Sequence, residues 1–386
     1  MTALETTDRP SAAPALSDVE AAAAANADDV DRRARFPHET LDAARAAGLL
    51  GALVPADLGG GGATFSEVGQ TIHAIGRHCA SSAMVLAMHH LQVACLARHA
   101  TTPELRCYLA DVAATPYLLA SATTEVGVGG NLRTSICALE REGGRFTLEK
   151  QAAVISYGAH ADAILATCRR GPDAPPSDQI LVVCRPPGLA LEQVSEWDTL
   201  GFRGTESPGF VLRAEGSQDQ VLPDPFGDIA ARTMMPVSHV LWGFVWLGLA
   251  SGAMAKARTY LQAEARKTPG TTPAGAVRLA ELVVAYQQMD GLVRSAARRL
   301  DETPPGHEPS LSEAISFNAL KVSASTLVVD IVERALRICG MAGYSQRSPY
   351  SLGRHLRDAH GAALMVNNDR ILADNAQMLL ISREER

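Results

Sequence analysis

A chain of 386 residues, 47% apolar and 20% charged, has the composition of a soluble globular protein of two or three domains with a sizeable core. Its formal charge of −7, with acids and bases interspersed, offers no field for a phosphate backbone or an anionic lipid surface, which argues against nucleic acid as a partner. Seven scattered cysteines, with no C-x-x-C pair and no matching histidine spacing, make no metal site and read as small buried hydrophobes of a reducing, cytoplasmic protein.

The opening stretch MTALETTDRPSAAPALSD mixes acids with Pro, Ser and Ala and lacks an apolar run, so it does not read as a secretory signal; residues 1–15 are expected to form a disordered tail. From 16 to 113 apolar residues recur at helical spacing, with Ser17, Thr64 and Thr102 placed as N-caps and DLGGGGA as a glycine turn, which predicts a helical N-terminal domain. From 114 to 219 the period becomes two: TSICALEREGG, RFTLEKQAAVIS, ADAILATCRR, DQILVVCRPP and GFVLRAEG are short runs punctuated by glycine and proline, as in a small β domain. From 220 to 386 the pattern is helical again, broken at KTPGTTPAG, ETPPGHEPS and GMAGYSQRSPYS, and long antiparallel helices joined in this way make a bundle. The run from Thr233 to Ala255 carries no charge and is long enough to span a membrane, yet its Pro236, His239 and repeated Gly and Ser favour a helix buried within the bundle, so no membrane partner is expected.

The stretch ASATTEVGVGGN, 120–131, puts a Thr-Glu pair before glycines that let backbone N–H groups approach a planar or phosphorylated ligand. Here the chain resembles the acyl-CoA dehydrogenase family. TTEVGVGGN is similar to that family's T-E-P-G-x-G-S-D, with Val126, Gly130 and Asn131 as departures. FP with GLLGALVPADLGG, VISYGAHAD, LGFRG, EARKTPG and ALRICGMAGYSQRSPYSLGRHLRDA resemble further family motifs in the family's order. The resemblance implies a multi-domain α+β fold with an N-terminal helical domain, a β-barrel-like middle domain and a C-terminal four-helix bundle. It also implies an FAD site between the last two, completed by a neighbouring subunit of a homodimer or homotetramer.

Carried over by position, Thr124, the backbone of Glu125, Gly127 and Gly130 line the flavin, and Ser156 stands where the family's Thr hydrogen-bonds the N5 region. Arg266, Arg337 and Gly340 reach the pyrophosphate and adenine end of a partner's FAD. Arg337 replaces a Gln, Met341 a Gly and Pro269 an aromatic, so that end must be bound differently.

In the family, oxidation of an acyl thioester transfers a hydride to flavin N5 while a glutamate takes the α-proton, a step that needs a positioned base. The resemblance puts that glutamate at Val366, or in some members at Trp242, and neither accepts a proton. His239, three residues before Trp242 on one helical face, and Asp369, within NND, are the candidate substitutes. Asp369 also fits the start of a capped helix. Three functions follow. One is α,β-dehydrogenation of an acyl thioester on CoA or a carrier protein, with an electron-transfer flavoprotein or oxygen as acceptor. Another is a monooxygenase using reduced flavin and oxygen, a branch that often has His at the position of Val366. The last is a catalytically silent flavin-binding subunit. The resemblance puts dehydrogenation first.

Overall fold

The computed structural model describes residues 12–129 and 131–381, with side chains from Leu16 onward. The N-terminal helices are α1 (Ala12–Arg33), α2 (His38–Ala46), α3 (Phe65–Gly76), α4 (Ala80–His99) and α5 (Pro103–Ala114). Thr64 caps α3 in a reciprocal box with Glu67, and Thr102 caps α5 ahead of Pro103. Ser17 is not a cap: α1 already runs from Ala12, because the alanines on both sides of it favour helix. The expected tail at 1–15 lies mostly outside the described residues.

The middle of the chain is the expected β domain, and its strands form two sheets. Strands β1 (Leu119–Ala122), β4 (Ala163–Arg169) and β5 (Gln179–Cys184) form one sheet in the order β1-β4-β5, with β1 and β4 parallel. The other is antiparallel, in the order β2-β3-β7-β6, from β2 (Glu140–Glu142), β3 (Arg145–Ala152), β6 (Leu189–Gln193) and β7 (Phe210–Ser217). The side chains of β3 alternate between exposed and buried, so that sheet covers the core with one face, whereas β4 and β5 are buried along nearly their whole length. Cys107 corrects the reading of the cysteines, because it is exposed, and Cys137 is half-buried.

After the sheets, α6 (Phe226–Ile229) passes through a π-helical turn (Ala230–Met234) into α7 (Met235–Lys267). Next come α8 (Ala276–Glu302), α9 (Leu311–Cys339), the single turn α10 (Met341–Tyr344), α11 (Gly353–Gly361) and α12 (Asn368–Ile381). Every residue of α7 from Pro236 to Ala253 is buried, so the uncharged run is the axle of the helical part. Each fully buried Val, Leu or Phe there contributes roughly 1.5–3 kcal/mol. Its glycines have a packing reason: a Cβ on Gly248 would sit 2.6 Å from the His73 carbonyl and 2.9 Å from Gly76, so α3 and α7 cross with their backbones touching. Among the described residues three helical stretches are long and apolar enough to cross a membrane, but the apolar windows of α4 and of α6–α7 are 89% and 94% buried inside the protein; that of α9 is 39% buried.

The β part is fastened to the helices by the LGFRG loop. Phe202 N–H donates to the buried Asp358 carboxylate on α11 at 2.7 Å, and Arg357 Nη1 reaches Asp31 on α1 at 2.9 Å. A Cβ on Gly201 would lie 2.3 Å from the Arg357 carbonyl, so only glycine allows this approach. Arg357 and Asp358 are therefore architectural, each tied to a different element. Burial of Asp358 raises its pKa to about 6.

Candidate active site

That fastening encloses a cavity of about 890 Å³ between the β part and the helices. One wall comes from the chain after β1 (Thr123, Thr124), the turn after β3 (Val154, Ser156) and the loop from Trp197 to Ser207. The opposite wall comes from one face of α4 (Met84, Met88, Leu91, Gln92), one face of α7 (Met235, Ser238, Trp242) and the α11–α12 turn (Leu364 to Asn367). The helical spacing of three, four and seven residues is what brings each group to a single face. A second cavity of about 470 Å³ adjoins it, sharing Leu132, Met235, Val366 and Arg370.

The β wall is rich in hydroxyls and well ordered. Ser207 Oγ donates to Ser156 Oγ at 2.9 Å, Thr205 Oγ1 lies 2.9 Å from Ser207 Oγ, and Thr205 Oγ1 donates to the Phe202 carbonyl at 2.9 Å. Because Ser156 accepts from Ser207, its own hydrogen is left to be donated to a ligand. Thr124 Oγ1 donates to the Val154 carbonyl at 3.0 Å, which fixes the strand ends on either side.

Glu125 does not line the cavity. Its carboxylate accepts from Ser135 Oγ at 2.7 Å, Ile136 N at 3.0 Å and Cys137 N at 2.6 Å, and pairs with the fully buried Lys150 at 3.4 Å. Burial alone would raise its pKa, but Ser135, Lys150 and the two amides hold it below the ordinary value. Its role is to bind the segment after the glycine turn back to β3. Gly127 (φ +94°) and Gly129 (φ +60°) adopt backbone that favours glycine; Gly129 lines the cavity, Gly127 does not, and Gly130 lies outside the described residues.

The helical wall is different. Trp242 and Val366 both line the cavity, and Val366 holds φ +45°, a strained conformation for a β-branched residue. The fully buried side chain of Lys321 on α9 donates to the Val366 carbonyl at 2.9 Å and to Asn368 Oδ1 at 2.7 Å, which holds the turn in place. Burial lowers the pKa of Lys321 to about 8.

His239 is not in the cavity wall. It is fully buried, Nδ1 lies 3.1 Å from the Phe317 carbonyl, and burial, then the charge of Lys321, lowers its pKa to about 3. Asp369 is exposed in the first turn of α12, where its N–H is held by Asn367 Oδ1 at 2.8 Å, and does not reach the cavity. Arg266, Arg337 and Gly340 are exposed at the ends of α7 and α9, and Arg337 pairs with Glu333 at 3.2 Å; within one protomer none of them lines the cavity. Among the described residues, no aspartate or glutamate lines it. Those described residues also hold no cluster of metal-ligating side chains.

Sequence reasoning missed Gln92, Thr205, Ser207, Lys321 and Arg370. Arg370 donates to the Gly129 carbonyl at 2.8 Å and so ties the α12 start to the glycine turn. Only the face of a helix was legible for Gln92; that the face borders a cavity depends on the distant β part.

The family models agree with this architecture. Residues 16–115 match the N-terminal domain of acyl-CoA dehydrogenase and residues 228–373 its C-terminal domain, together more than half of the chain. The chain is 28% identical over 355 residues to the amino sugar nitrososynthase DnmZ of Streptomyces peucetius, covering 87% of this chain and 84% of the relative. It is 22% identical over 359 residues to mitochondrial isobutyryl-CoA dehydrogenase of Bos taurus, covering 92% and 82%. Among solved structures, FMN-bound TdsC from Paenibacillus sp. A11-2 superposes with a TM-score of 0.84 at 19% identity over 96% of this chain and 98% of that one. Butyryl-CoA dehydrogenase from Megasphaera elsdenii superposes with a TM-score of 0.82 at 18% identity over 98% and 100%. With both family domains in order around the enclosed cavity, the chain belongs to the acyl-CoA dehydrogenase family of flavoenzymes.

Proposed function

We propose that this protein is a flavin-dependent oxygenase, which uses reduced flavin and dioxygen to add an oxygen atom to a heteroatom or aromatic carbon of a small organic substrate. The observation that carries this reading is the cavity wall without a carboxylate among the described residues. Taking an α-proton from an acyl thioester requires a base within hydrogen-bond reach. Val366 and Trp242 offer an isopropyl group and an indole, His239 is sealed away as a neutral ring, and Asp369 faces solvent. Oxygen transfer needs no such base; it benefits from a wall that keeps water from the reacting atoms, as Met84, Met88, Leu91, Trp242 and Val366 do. The likeness to an amino sugar nitrososynthase and to an FMN-bound monooxygenase supports the same reading.

The residues present fit a flavin: Ser156 has a hydroxyl hydrogen to donate, Thr124 lines the same cavity, and a Cβ added to Gly129 would meet only open space. Bound and reduced, a flavin supplies the two electrons with which dioxygen is divided between the substrate and water. We take the flavin to be the mononucleotide, in place of the FAD that the resemblance implies, because Pro269 and Arg337 alter the adenine end and Arg337 is engaged with Glu333. We also take the protein to be at least a dimer, since the apolar window of α9 is 39% buried and Leu379 and Leu380 of α12 are exposed.

Two measurements on the flavin-loaded protein test the function. Anaerobic titration with short- to long-chain acyl-CoA thioesters is expected to leave the flavin absorbance unchanged. Reduced FMN with labelled dioxygen and a panel of amines, indoles and thiophenes is expected to give a product carrying one labelled oxygen. Anaerobic bleaching by a thioester would overturn the oxygenase and restore the dehydrogenase.

A further inference from the structure

Two side chains of the helical wall have polar atoms with nothing to bond. Gln92 is fully buried, and among the described residues neither its amide nitrogen nor its amide oxygen has a partner; Trp242 is 7% exposed, and its indole N–H has none among them either. Both residues line the same cavity, from α4 and from α7. Native proteins rarely leave such groups unsatisfied, since each costs about 1–3 kcal/mol, and an exception calls for a reason. The contrast with the facing wall, where Thr124, Ser156, Thr205 and Ser207 are all hydrogen-bonded, makes the exception sharper.

We propose that Gln92 and Trp242 form a recognition subsite for a neutral polar group of the substrate, a hydroxyl or carbonyl borne on a ring that otherwise packs against Met84, Met88 and Leu91. The chemistry of the three orphaned atoms defines the ligand. Gln92 offers one acceptor and an NH₂ donor, and Trp242 one donor, so a hydroxyl, which both gives and takes, satisfies more of them than an acceptor alone. A cationic group does not fit: no carboxylate among the described lining residues could pair with an ammonium, and an unpaired ion in such a wall is far costlier than a hydroxyl. The substrate is then polar at its buried end, unlike a saturated acyl chain. This deepens the oxygenase reading and rests on it for the identity of the cavity.

The test is a binding measurement on the oxidised, flavin-loaded protein, so it stands or fails separately from oxygen transfer. Phenol and toluene are matched probes that exchange a hydroxyl for a methyl group, and their dissociation constants are read from perturbation of the flavin spectrum. The ratio of the toluene constant to the phenol constant is expected to fall about 10-fold in Gln92→Met and about 3-fold in Trp242→Phe, as the loss of one or two hydrogen bonds predicts. Toluene binding itself should stay within about 2-fold of wild type, and ligand-free Gln92→Met should melt no lower than wild type, because the orphaned amide contributes nothing without a ligand. An unchanged ratio in both variants overturns the subsite. So does a ligand-free Gln92→Met that melts well below wild type, which would show that the amide is satisfied within the protein.

Discussion

The two walls of the cavity are built on opposite terms. On the β side Thr124, Ser156, Thr205 and Ser207 are hydrogen-bonded, and behind that wall the buried Glu125 and Lys150 answer each other. On the helical side Gln92 and Trp242 are unsatisfied and Val366 is strained. One wall is held in place by its own hydrogen bonds, with the Ser156 hydrogen left to give, as suits a cofactor that must be held in a single orientation. The other keeps unmet hydrogen bonds and strain that only a well-supported frame can maintain. The two walls, their support and the join between them can be disturbed one at a time.

The largest effect is expected behind the β wall, where buried charges are paired. Glu125→Leu leaves Lys150 buried without its counter-charge and removes the acceptor for two amides, which costs about 3–5 kcal/mol. Denaturant unfolding should show it as a lower midpoint, with weaker flavin retention because Thr124 is adjacent. Adding Lys150→Met to Glu125→Leu is expected to recover part of the loss, since an apolar pair needs no partner.

The same contrast explains what the sequence disclosed. The β wall is made of short local motifs, TTEVGVGGN and VISYGAHAD, so Thr124 and Ser156 could be named in advance. Helix limits were equally plain: α7 ends at Lys267 and α9 begins at Leu311, at the predicted breaks. Strand β1, Leu-Ala-Ser-Ala, has no β-branched residue to mark it and is held by its parallel pairing with β4, a contact made 44 residues away. On the helices behind the other wall, His239 and Gln92 look alike in sequence as polar residues in apolar runs. Only the packing of α4, α7 and α9 shows that one faces the Phe317 carbonyl and the other a cavity.

Next in size is a dependence on pH that acts on the join. His89 of α4 lies against the Leu50 carbonyl through Nε2 at 2.8 Å and accepts from Leu119 N, at the start of β1, through Nδ1 at 3.0 Å, so it must be neutral. Burial lowers its pKa to about 4, and that of His239 to about 3. A histidine depressed in the folded state contributes stability that is fully present above its unfolded value of 6.5 and is lost as pH falls toward the folded one. At about pH 5 each of the two has lost roughly 2 kcal/mol. Asp358, raised to about 6, acts in the opposite direction: its folded form is penalised above that pH and relieved below it. Two histidines outweigh one aspartate, so melting temperature is expected to drop between pH 6.5 and 5. His89→Gln should flatten the drop. Asp358→Asn, which still accepts from Phe202, should steepen it.

A smaller effect tests the join directly. Gly201→Ala puts a methyl group 2.3 Å from the Arg357 carbonyl, a backbone atom that cannot swing aside, and is expected to cost about 1–3 kcal/mol. Thermal unfolding measures this. Ala at Gly227, where an added Cβ meets nothing within 4 Å, is the control that should leave the melting temperature unchanged.

The smallest effect separates strain from lost contact on the helical wall. Val366 has φ +45°, and its carbonyl is held by Lys321, so truncating its side chain removes packing but leaves the turn in place. At an ordinary position Gly is less stable than Ala by roughly 0.5–1 kcal/mol, because the unfolded chain gains freedom. At a positive φ the order reverses, since alanine keeps the Cβ that clashes with the following carbonyl, at about 1–2 kcal/mol, and glycine does not. Both truncations lose the same isopropyl contacts, so the difference between them reads the strain alone. Val366→Gly is therefore expected to be more stable than Val366→Ala by about 1 kcal/mol in urea unfolding. Val154 supplies the comparison from the β wall: it lines the same cavity without a positive φ, and there alanine should be the more stable of the two. If both sites show the ordinary order, the helical wall is not strained at Val366, and the contrast between the walls reduces to their hydrogen bonds.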